Sequence, residues 1–385
     1  MGSGSLSERT VPTIVVGLLL LAGCSQGYTP AGDWVLKPQG PPPVVAPPQD
    51  QSPSQPPPGE PGEGEAGEDS AVVASGLSVP TGLALFPDGT ALVGERTTGR
   101  LLQVFPDAAP PVELMVVPGL DATGDGGLLS LALSPTYDQD RLIFAYLTTP
   151  EDNRVVKFAV GGVPSPVFTG IPKGANHNGG ALIFGADGAL YVGTGDTGVP
   201  DLAEDEQSLA GKVLRIDIFG EPAGPDSIYT SGHSNVSALC LNPDEQLFGV
   251  DLIDGEADEV NVLIENEEYG WPQAGPGTTD PILEIDPPGD GLGGCALVGD
   301  AIVLTALDGQ RLYTSQLDLD YAPLGDLEEF LTETYGRLRT LVLDAEGALW
   351  VTTNNRDGFG TPTEDDDRVL RIPSPVGGGG GGGTS

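Results

Sequence analysis

Histidine is scarce in this 385-residue chain, which has two, and one of them stands in an unusual setting. Asn176-His177-Asn178-Gly179-Gly180 opens a segment that runs on to Thr194-Gly195-Asp196-Thr197-Gly198. An imidazole accepts a proton near neutral pH, and a carboxylate behind it fixes the tautomer and stabilises the imidazolium. The spacing places His177 at the start of one strand and Asp196 at the far end of the strand paired with it, so both return to one rim. Gly179 and Gly180 leave room for a ligand to approach the backbone. The pair is therefore a candidate base and orienter. The alternative is a histidine that only satisfies hydrogen bonds within a strand, and spacing alone leaves both open.

Other reactive residue types are few. Arg337 and Arg339 point to one side of a strand by the two-residue period, an arrangement that favours an anion between them. His233 precedes the apolar run Val236 to Leu241 and reads as a structural bond to a neighbouring strand unit. Trp271, in Tyr269-Gly270-Trp271-Pro272, reads as a packing wedge before a ligand platform. Asp365-Asp366-Asp367 reads as a solvated acidic turn, not a metal site. Cys240 and Cys295 could pair in an oxidising compartment, where closing such a loop contributes about 4 kcal/mol, but sequence does not show that their Cβ atoms approach.

The elements that must position these groups are short strands. Glycine (58) and proline (37) are abundant, and no long stretch keeps a 3.6-residue apolar period. A polar residue opening a short apolar strand recurs six times. It stands as Gly99-Arg100-Leu101-Leu102, Asn153-Arg154-Val155-Val156, Gly211-Lys212-Val213-Leu214, Asp258-Glu259-Val260-Asn261, Gln310-Arg311-Leu312-Tyr313 and Asp367-Arg368-Val369-Leu370. Turns such as Pro87-Asp88-Gly89, Ala186-Asp187-Gly188 and Ala345-Glu346-Gly347 precede alternating strands. Repetition at this spacing predicts an all-β, six-bladed β-propeller of four-stranded antiparallel blades over residues 71–373. A pair of β-sandwiches is the rival, but it does not call for six similar units.

The flanks differ in kind. Residues 1–24 have the form of a signal segment, with Arg9 before the apolar run Val11 to Leu21, which is too short to span a bilayer. It ends in Leu21-Ala22-Gly23-Cys24, which resembles a bacterial lipobox, making Cys24 the predicted lipidation site and the lipid the only link to a membrane. Residues 25–70 form a Pro/Gly/Glu-rich linker predicted to be disordered, as is the Gly-rich tail over 374–385. The chain carries 56 acids against 16 bases, a net charge of −40. That charge repels nucleic acid and anionic lipid; solubility or a saline habitat accounts for it, with bound divalent cations as the sharper alternative.

Taken in order along the chain, Gly126-Gly127-Leu128-Leu129, Asn176-His177-Asn178-Gly179-Gly180, Tyr191-Val192-Gly193-Thr194-Gly195-Asp196, Gly232-His233, Asp258-Glu259-Val260-Asn261, Tyr269-Gly270-Trp271-Pro272, Gly336-Arg337-Leu338-Arg339 and Asn355-Arg356-Asp357-Gly358 carry a resemblance. They are similar to the soluble glucose/sorbosone (aldose) dehydrogenases that use pyrroloquinoline quinone (PQQ). The resemblance implies a six-bladed propeller in which His177 takes the anomeric hydroxyl proton of an aldose while hydride passes to the quinone. Asp196 matches the carboxylate that orients the base. Arg337, Arg339, Asp125, Ser234, Asn235 and Asp308 fall at cofactor positions, and Ile253 and Asp254 fall in the loop that holds calcium. The family pattern is broken where Ser234 replaces an arginine, where Asp308 replaces a basic residue, and at Leu252-Ile253-Asp254.

The expectation is thus an exported, lipid-anchored quinoprotein acting on an aldose, its electron acceptor unspecified, facing the periplasm or cell exterior. Because Ser234 and Asp308 weaken the cofactor cradle, a non-catalytic propeller that binds a sugar or a protein stands beside it. A calcium-dependent lactone hydrolase is a third reading, supported by fold analogy alone.

Overall fold

The computed structural model describes residues 69–285 and 289–376. The signal segment with Cys24, nearly all of the proposed linker and the terminal glycine run lie outside those residues.

The first strand, β1 (Val72–Ala74), is followed by five meanders of four strands. Blade 1 is β2 (Pro80–Leu85), β3 (Ala91–Glu95), β4 (Arg100–Val104) and β5 (Val112–Val116). Blade 2 is β6 (Leu128–Leu133), β7 (Ile143–Thr148), β8 (Asn153–Phe158) and β9 (Ser165–Ile171). Blade 3 is β10 (Leu182–Phe184), β11 (Leu190–Gly193), β12 (Val213–Ile216) and β13 (Ile228–Thr230). Blade 4 is β14 (Val236–Leu241), β15 (Leu247–Asp251), β16 (Asp258–Val262) and β17 (Leu283–Ile285). Blade 5 is β18 (Leu292–Val298), β19 (Ala301–Ala306), β20 (Arg311–Leu317) and β21 (Pro323–Phe330). Blade 6 is β22 (Leu338–Leu343), β23 (Ala348–Thr353) and β24 (Val369–Pro373), completed on its outer side by β1. All pairings are antiparallel, and the only helices among the described residues are two of four residues each.

Each blade is apolar on both faces, so each must be covered by two neighbours. Six apolar cores answer that need, one between each successive pair of blades. Leu92, Leu101 and Leu128 join blades 1 and 2; Tyr146, Leu190 and Leu214 join 2 and 3; Tyr191, Val236 and Leu247 join 3 and 4. Phe248, Cys295 and Leu304 join 4 and 5, and Val303, Leu338 and Leu349 join 5 and 6. The sixth core, with Trp350, Val93 and Leu83, joins blade 6 to blade 1 and closes the ring. Each fully buried large apolar side chain contributes about 1.5–3 kcal/mol. Cys240 on β14 and Cys295 on β18 are disulfide-bonded, Cα to Cα 5.9 Å, which ties two inner strands of neighbouring blades.

The six polar-opened motifs are the third strands of the six blades, β4, β8, β12, β16, β20 and β24. Their opening residues anchor the ends of the blades. Arg100 meets Glu95 and Glu113, and Arg154 meets Asp152. The ammonium of the fully buried Lys212 donates to the carbonyls of Leu202, Ala203 and Ala210. The acidic run at 365–367 corrects the expectation of a solvated turn, because Asp366 and Asp367 are buried. Asp367 accepts the backbone N–H groups of Val79, Asn355 and Arg356, stapling blade 6 to the chain entering blade 1. Burial pushes its carboxyl up to about 6 against those bonds. Three acids in a row suggest solvation by composition, yet backbone donors at the ring closure supply the partners.

In an antiparallel meander the loop joining strands two and three lies at the same end as the loop leading to the next blade. His177, Asp196, Asp125, Ser234, Asn235, Ile253, Asp254, Asp308 and Arg337 all fall in one of these two loop classes, so one rim of the propeller collects them. Arg339 lies on a strand, and Trp271 reaches Asp196 from the loop between β16 and β17. The Asp-Gly turns join strands one and two and lie on the opposite rim.

Candidate active site

His177 does not begin a strand. It lies in the loop before β10, at φ 54°, and Leu182 is the first residue of the strand. The loop is pinned on all sides. Tyr146 Oη donates to the Asn178 carbonyl at 2.9 Å, and Asn178 Oδ1 accepts from Asn153 and from Gly174 N–H. The two following glycines serve the chain itself and not a ligand, which corrects the sequence reading. A Cβ on Gly179 would sit 2.5 Å from the Thr194 backbone, and one on Gly180 would sit 2.6 Å from Leu129 Cβ. A residue with positive φ is tolerated where surrounding bonds fix it.

Nδ1 of His177 lies 2.8 Å from Asp196 Oδ1. Asp196 is fully buried and also accepts Gly198 N–H at 2.8 Å and the Trp271 indole N–H at 2.8 Å. Burial raises the Asp196 carboxyl, but the bonds from His177, Gly198 and Trp271 outweigh it and hold it below the usual carboxylate range. Trp271 is therefore neither wedge nor platform: it fixes the orienting carboxylate. His177 Nε2 lies 3.0 Å from Asp254 Oδ2, so both ring nitrogens meet acids. Asp196 first, and Asp254 after it, raise the imidazole from 6.5 to about 9 against desolvation.

Asp125 stands beside this pair, bonded to Asn178. Its carboxyl is raised by burial, with Asn178 and the His177 N–H opposing. Ser234 contributes through its backbone only. Its hydroxyl is buried, its carbonyl accepts Asp196 N–H at 2.7 Å, and its N–H goes to Asp251. Asn235 is a strut, accepting Gly179 N–H at its side chain and Leu252 N–H at its carbonyl. His233 is structural as expected: Nε2 meets Thr230 Oγ1 at 2.8 Å and the ring stacks on Tyr269.

The two arginines do not form the pair that strand alternation predicts. The register of β22 shifts between Leu338 and Leu341, and Arg337 precedes the strand. Arg337 is buried between Asp308 and Asp357, so the acid at 308 is matched by a neighbouring arginine. Arg339 turns into the wall of the axial channel and donates to the carbonyls of Gly293 and Ser237. It borders a cavity of about 500 Å³ lined by the six inner strands.

Arg96 was not legible as a site residue. It follows β3 in the loop between strands two and three of its blade, the position Asp196 and Asp308 occupy in theirs, and a blade-by-blade alignment of such loops would have found it. Its guanidinium donates to the carbonyls of Gly124 and Gly126. Among the described residues, neither Arg96 nor Arg339 has a carboxylate within ion-pair distance. Burial lowers both; Arg339 falls to about 10, helped by the charge of Arg96. Asp125 and Asp357 act on both from beyond ion-pair range and do not cancel the burial cost, so two enclosed like charges favour a bound anion between them. The cradle thus fits a polyanionic cofactor at Arg96 and Arg339, while the charge of Arg337 is already matched by Asp308 and Asp357. The calcium expectation at Ile253 and Asp254 finds less support. Ile253 is buried with its N–H on Asp258, Asp254 is engaged by His177, and the described residues hold no set of three His, Cys, Asp or Glu side chains placed for a metal.

A buried histidine–carboxylate dyad on the rim of a six-bladed propeller, beside two arginines with no acid in ion-pair range, defines the class of site. Residues 77–281, more than half of the chain, match the glucose/sorbosone dehydrogenase family, and the chain belongs to that family. It is similar to the PQQ-bound aldose sugar dehydrogenase of Streptomyces coelicolor, at 37% identity and a TM-score of 0.75, covering 78% of this chain and 96% of that one. It is 27% identical to quinoprotein glucose dehydrogenase B of Acinetobacter calcoaceticus, over 53% of this chain and 52% of that protein. It is 29% identical to an aldose sugar dehydrogenase of Escherichia coli (strain K12), over 53% of this chain and 61% of that protein. The chain spans about half to three fifths of the length of these two relatives.

Proposed function

We propose that this protein oxidises the anomeric hydroxyl of an aldose to the lactone, with His177 as the base. The observation that carries this reading is the His177–Asp196–Trp271 chain, because it holds Nδ1 and leaves Nε2 as the only atom able to take a proton. Asp196 stabilises the imidazolium that forms. Asp125 and Asn178 hold the base loop in place. Arg96 and Arg339 would hold the carboxylates of PQQ, and the family relationship supports that cofactor. PQQ, when bound, supplies the carbon that accepts hydride.

Asp254 must leave Nε2 before a sugar hydroxyl can use it. Once it does, one of the two acids that raise the imidazole is gone, and the base moves towards neutrality. The non-catalytic alternative rested on Ser234 and Asp308. Neither site requires it, since Ser234 acts through its backbone and Asp308 is matched by Arg337. We further propose export and lipid attachment at Cys24, with residues 25–70 as a spacer and an unidentified electron acceptor outside the cytoplasm. No helix of the described residues is long and apolar enough to cross a membrane.

The test is an absorbance titration of the purified protein with PQQ, followed by an aldose panel. Uptake with quinone reduction on sugar addition, abolished in His177→Ala, supports the assignment. Uptake without reduction by any aldose overturns it.

A further inference from the structure

We propose that Asp254 makes this site selective for aldoses with a cationic group at C2, the 2-amino-2-deoxy-aldoses; this rests on the oxidation proposed above. Nδ1 of His177 is committed to Asp196, so whatever touches Nε2 occupies the seat of the reacting hydroxyl. That occupant is Asp254, 3.0 Å away. The two acids differ in kind: the Asp196 side chain is 0% exposed, that of Asp254 is 69% exposed. One is built into the wall, and the other faces the mouth.

Asp254 has no second hydrogen-bond partner among the described residues. Its loop is held by other atoms, Leu252 N–H on Asn235 and Ile253 N–H on Asp258. Gly255 follows at φ 81° with open space around it. The carboxylate can therefore step aside without unpicking the loop.

It need move only about one hydrogen-bond length, ~3 Å, to admit a hydroxyl at Nε2. In a pyranose the anomeric carbon has two ring neighbours, the ring oxygen and C2, and only C2 carries a substituent. A group on C2 lies about a hydrogen-bond length from the anomeric hydroxyl, within reach of the displaced carboxylate. A hydroxyl there makes an ordinary bond to the acid, while an ammonium makes a charge-assisted one, roughly twice as strong. The nearest cation, the imidazolium of His177, is offset by Asp196 at 2.8 Å, and the arginines do not oppose this. Arg337 is matched by Asp308 and Asp357, and Arg96 and Arg339 are turned to backbone carbonyls.

The oxidation is the same for either sugar. The C1–H bond breaks with its electron pair passing to the quinone, the hydroxyl proton passes to His177 Nε2, and C1–O becomes the lactone carbonyl. The amine is unchanged.

The experiment uses the full chain loaded with PQQ at low ionic strength and pH 7. Glucosamine, glucose and N-acetylglucosamine are compared by kcat/KM and, independently, by calorimetric Kd. The expected result is at least a tenfold preference for glucosamine over glucose, lost on N-acetylation. Asp254→Asn brings the ratio close to one, and Asp254→Glu restores much of it. Because the side chain is exposed, both variants are expected to melt like the parent. Turnover of glucose with no glucosamine preference, or a preference that persists in Asp254→Asn, overturns the selectivity and leaves the oxidation standing. If neither sugar is oxidised, the oxidation falls, and the ratio of the two Kd values decides the selectivity. Glucosamine binding that needs an added divalent cation also overturns it, because the carboxylate would then be serving the metal.

Discussion

The indole N–H of Trp271 meets Asp196 Oδ2 at 2.8 Å, on the carboxylate oxygen that His177 does not use. A residue from the loop after blade 4's third strand thereby fixes an acid carried by blade 3. Trp271→Phe keeps the ring and removes the bond. A lost hydrogen bond to a buried charge is worth about 1.5–3 kcal/mol, so kcat is expected to fall roughly 10-fold or more. Asp196 then leans harder on His177, and the rising limb of the pH profile, set by the base, should move to higher pH. Asp196→Asn should lower kcat on the order of 10³-fold, within the range ascribed to positioned acid–base groups. Steady-state kinetics across pH separates the two variants from simple unfolding.

The pH dependence follows from His177 at about 9. In the free protein the imidazole is protonated at neutrality, so kcat/KM for glucose is expected to climb with pH until about 9. Asp254→Asn should shift that limb downward. For stability the sign is the opposite. A folded pKa above the unfolded 6.5 gives stabilisation that is complete below 6.5 and is lost as pH rises through about 9. Lys212, lowered to about 8 by burial, works the other way at higher pH. The difference in unfolding free energy between the parent and His177→Gln isolates the histidine. It should shrink by about 3 kcal/mol between pH 6 and 9. An unchanging difference would contradict the paired imidazolium.

Arg96 is the residue on which cofactor capture should depend. Arg96→Met removes one of two enclosed positive charges while keeping the length of the side chain. Unit charges about 4 Å apart interact by roughly 4 kcal/mol at an effective dielectric near 20, reduced by rearrangement. PQQ affinity in an absorbance titration is expected to fall at least tenfold. Arg337→Met should change it much less, because that charge is already matched.

The Cys240–Cys295 bond closes a loop across a sequence separation of 55. Its removal is expected to lower stability by about 4 kcal/mol on the loop-entropy estimate. Thermal melts with and without reductant, and of the Cys240→Ala/Cys295→Ala variant, measure this directly. Sugar turnover at temperatures below both melts should survive.

Much of the architecture was legible because it repeats. A third strand opened by a polar residue has to anchor itself at the rim, and Arg100, Lys212 and Arg368 do so in separate blades. The His177–Asp196 pair was legible because both lie in loops that the meander returns to one end. Arg96 was missed, since an isolated arginine after a strand carries no local signal. Its significance lies in Arg339, far away in sequence. Asp367 was misjudged for a related reason: neighbouring acids suggest water, while its actual partners are backbone groups from residues 79 and 355. Strand alternation misled at Arg337 and Arg339 because the register of β22 slips. Local rules fail where the partners are supplied by another blade.

Blade 6 takes its outer strand, Val72–Ala74, from the start of the propeller and sets it against Val369–Pro373. The circle is therefore fastened by the two extremes of the domain, like a belt whose buckle and tongue are made first and last. Five sheets can assemble as the polypeptide emerges, but the sixth waits for nearly the whole length. Until that moment the nascent form presents raw strand edges, and its safe passage depends on keeping it apart from its siblings.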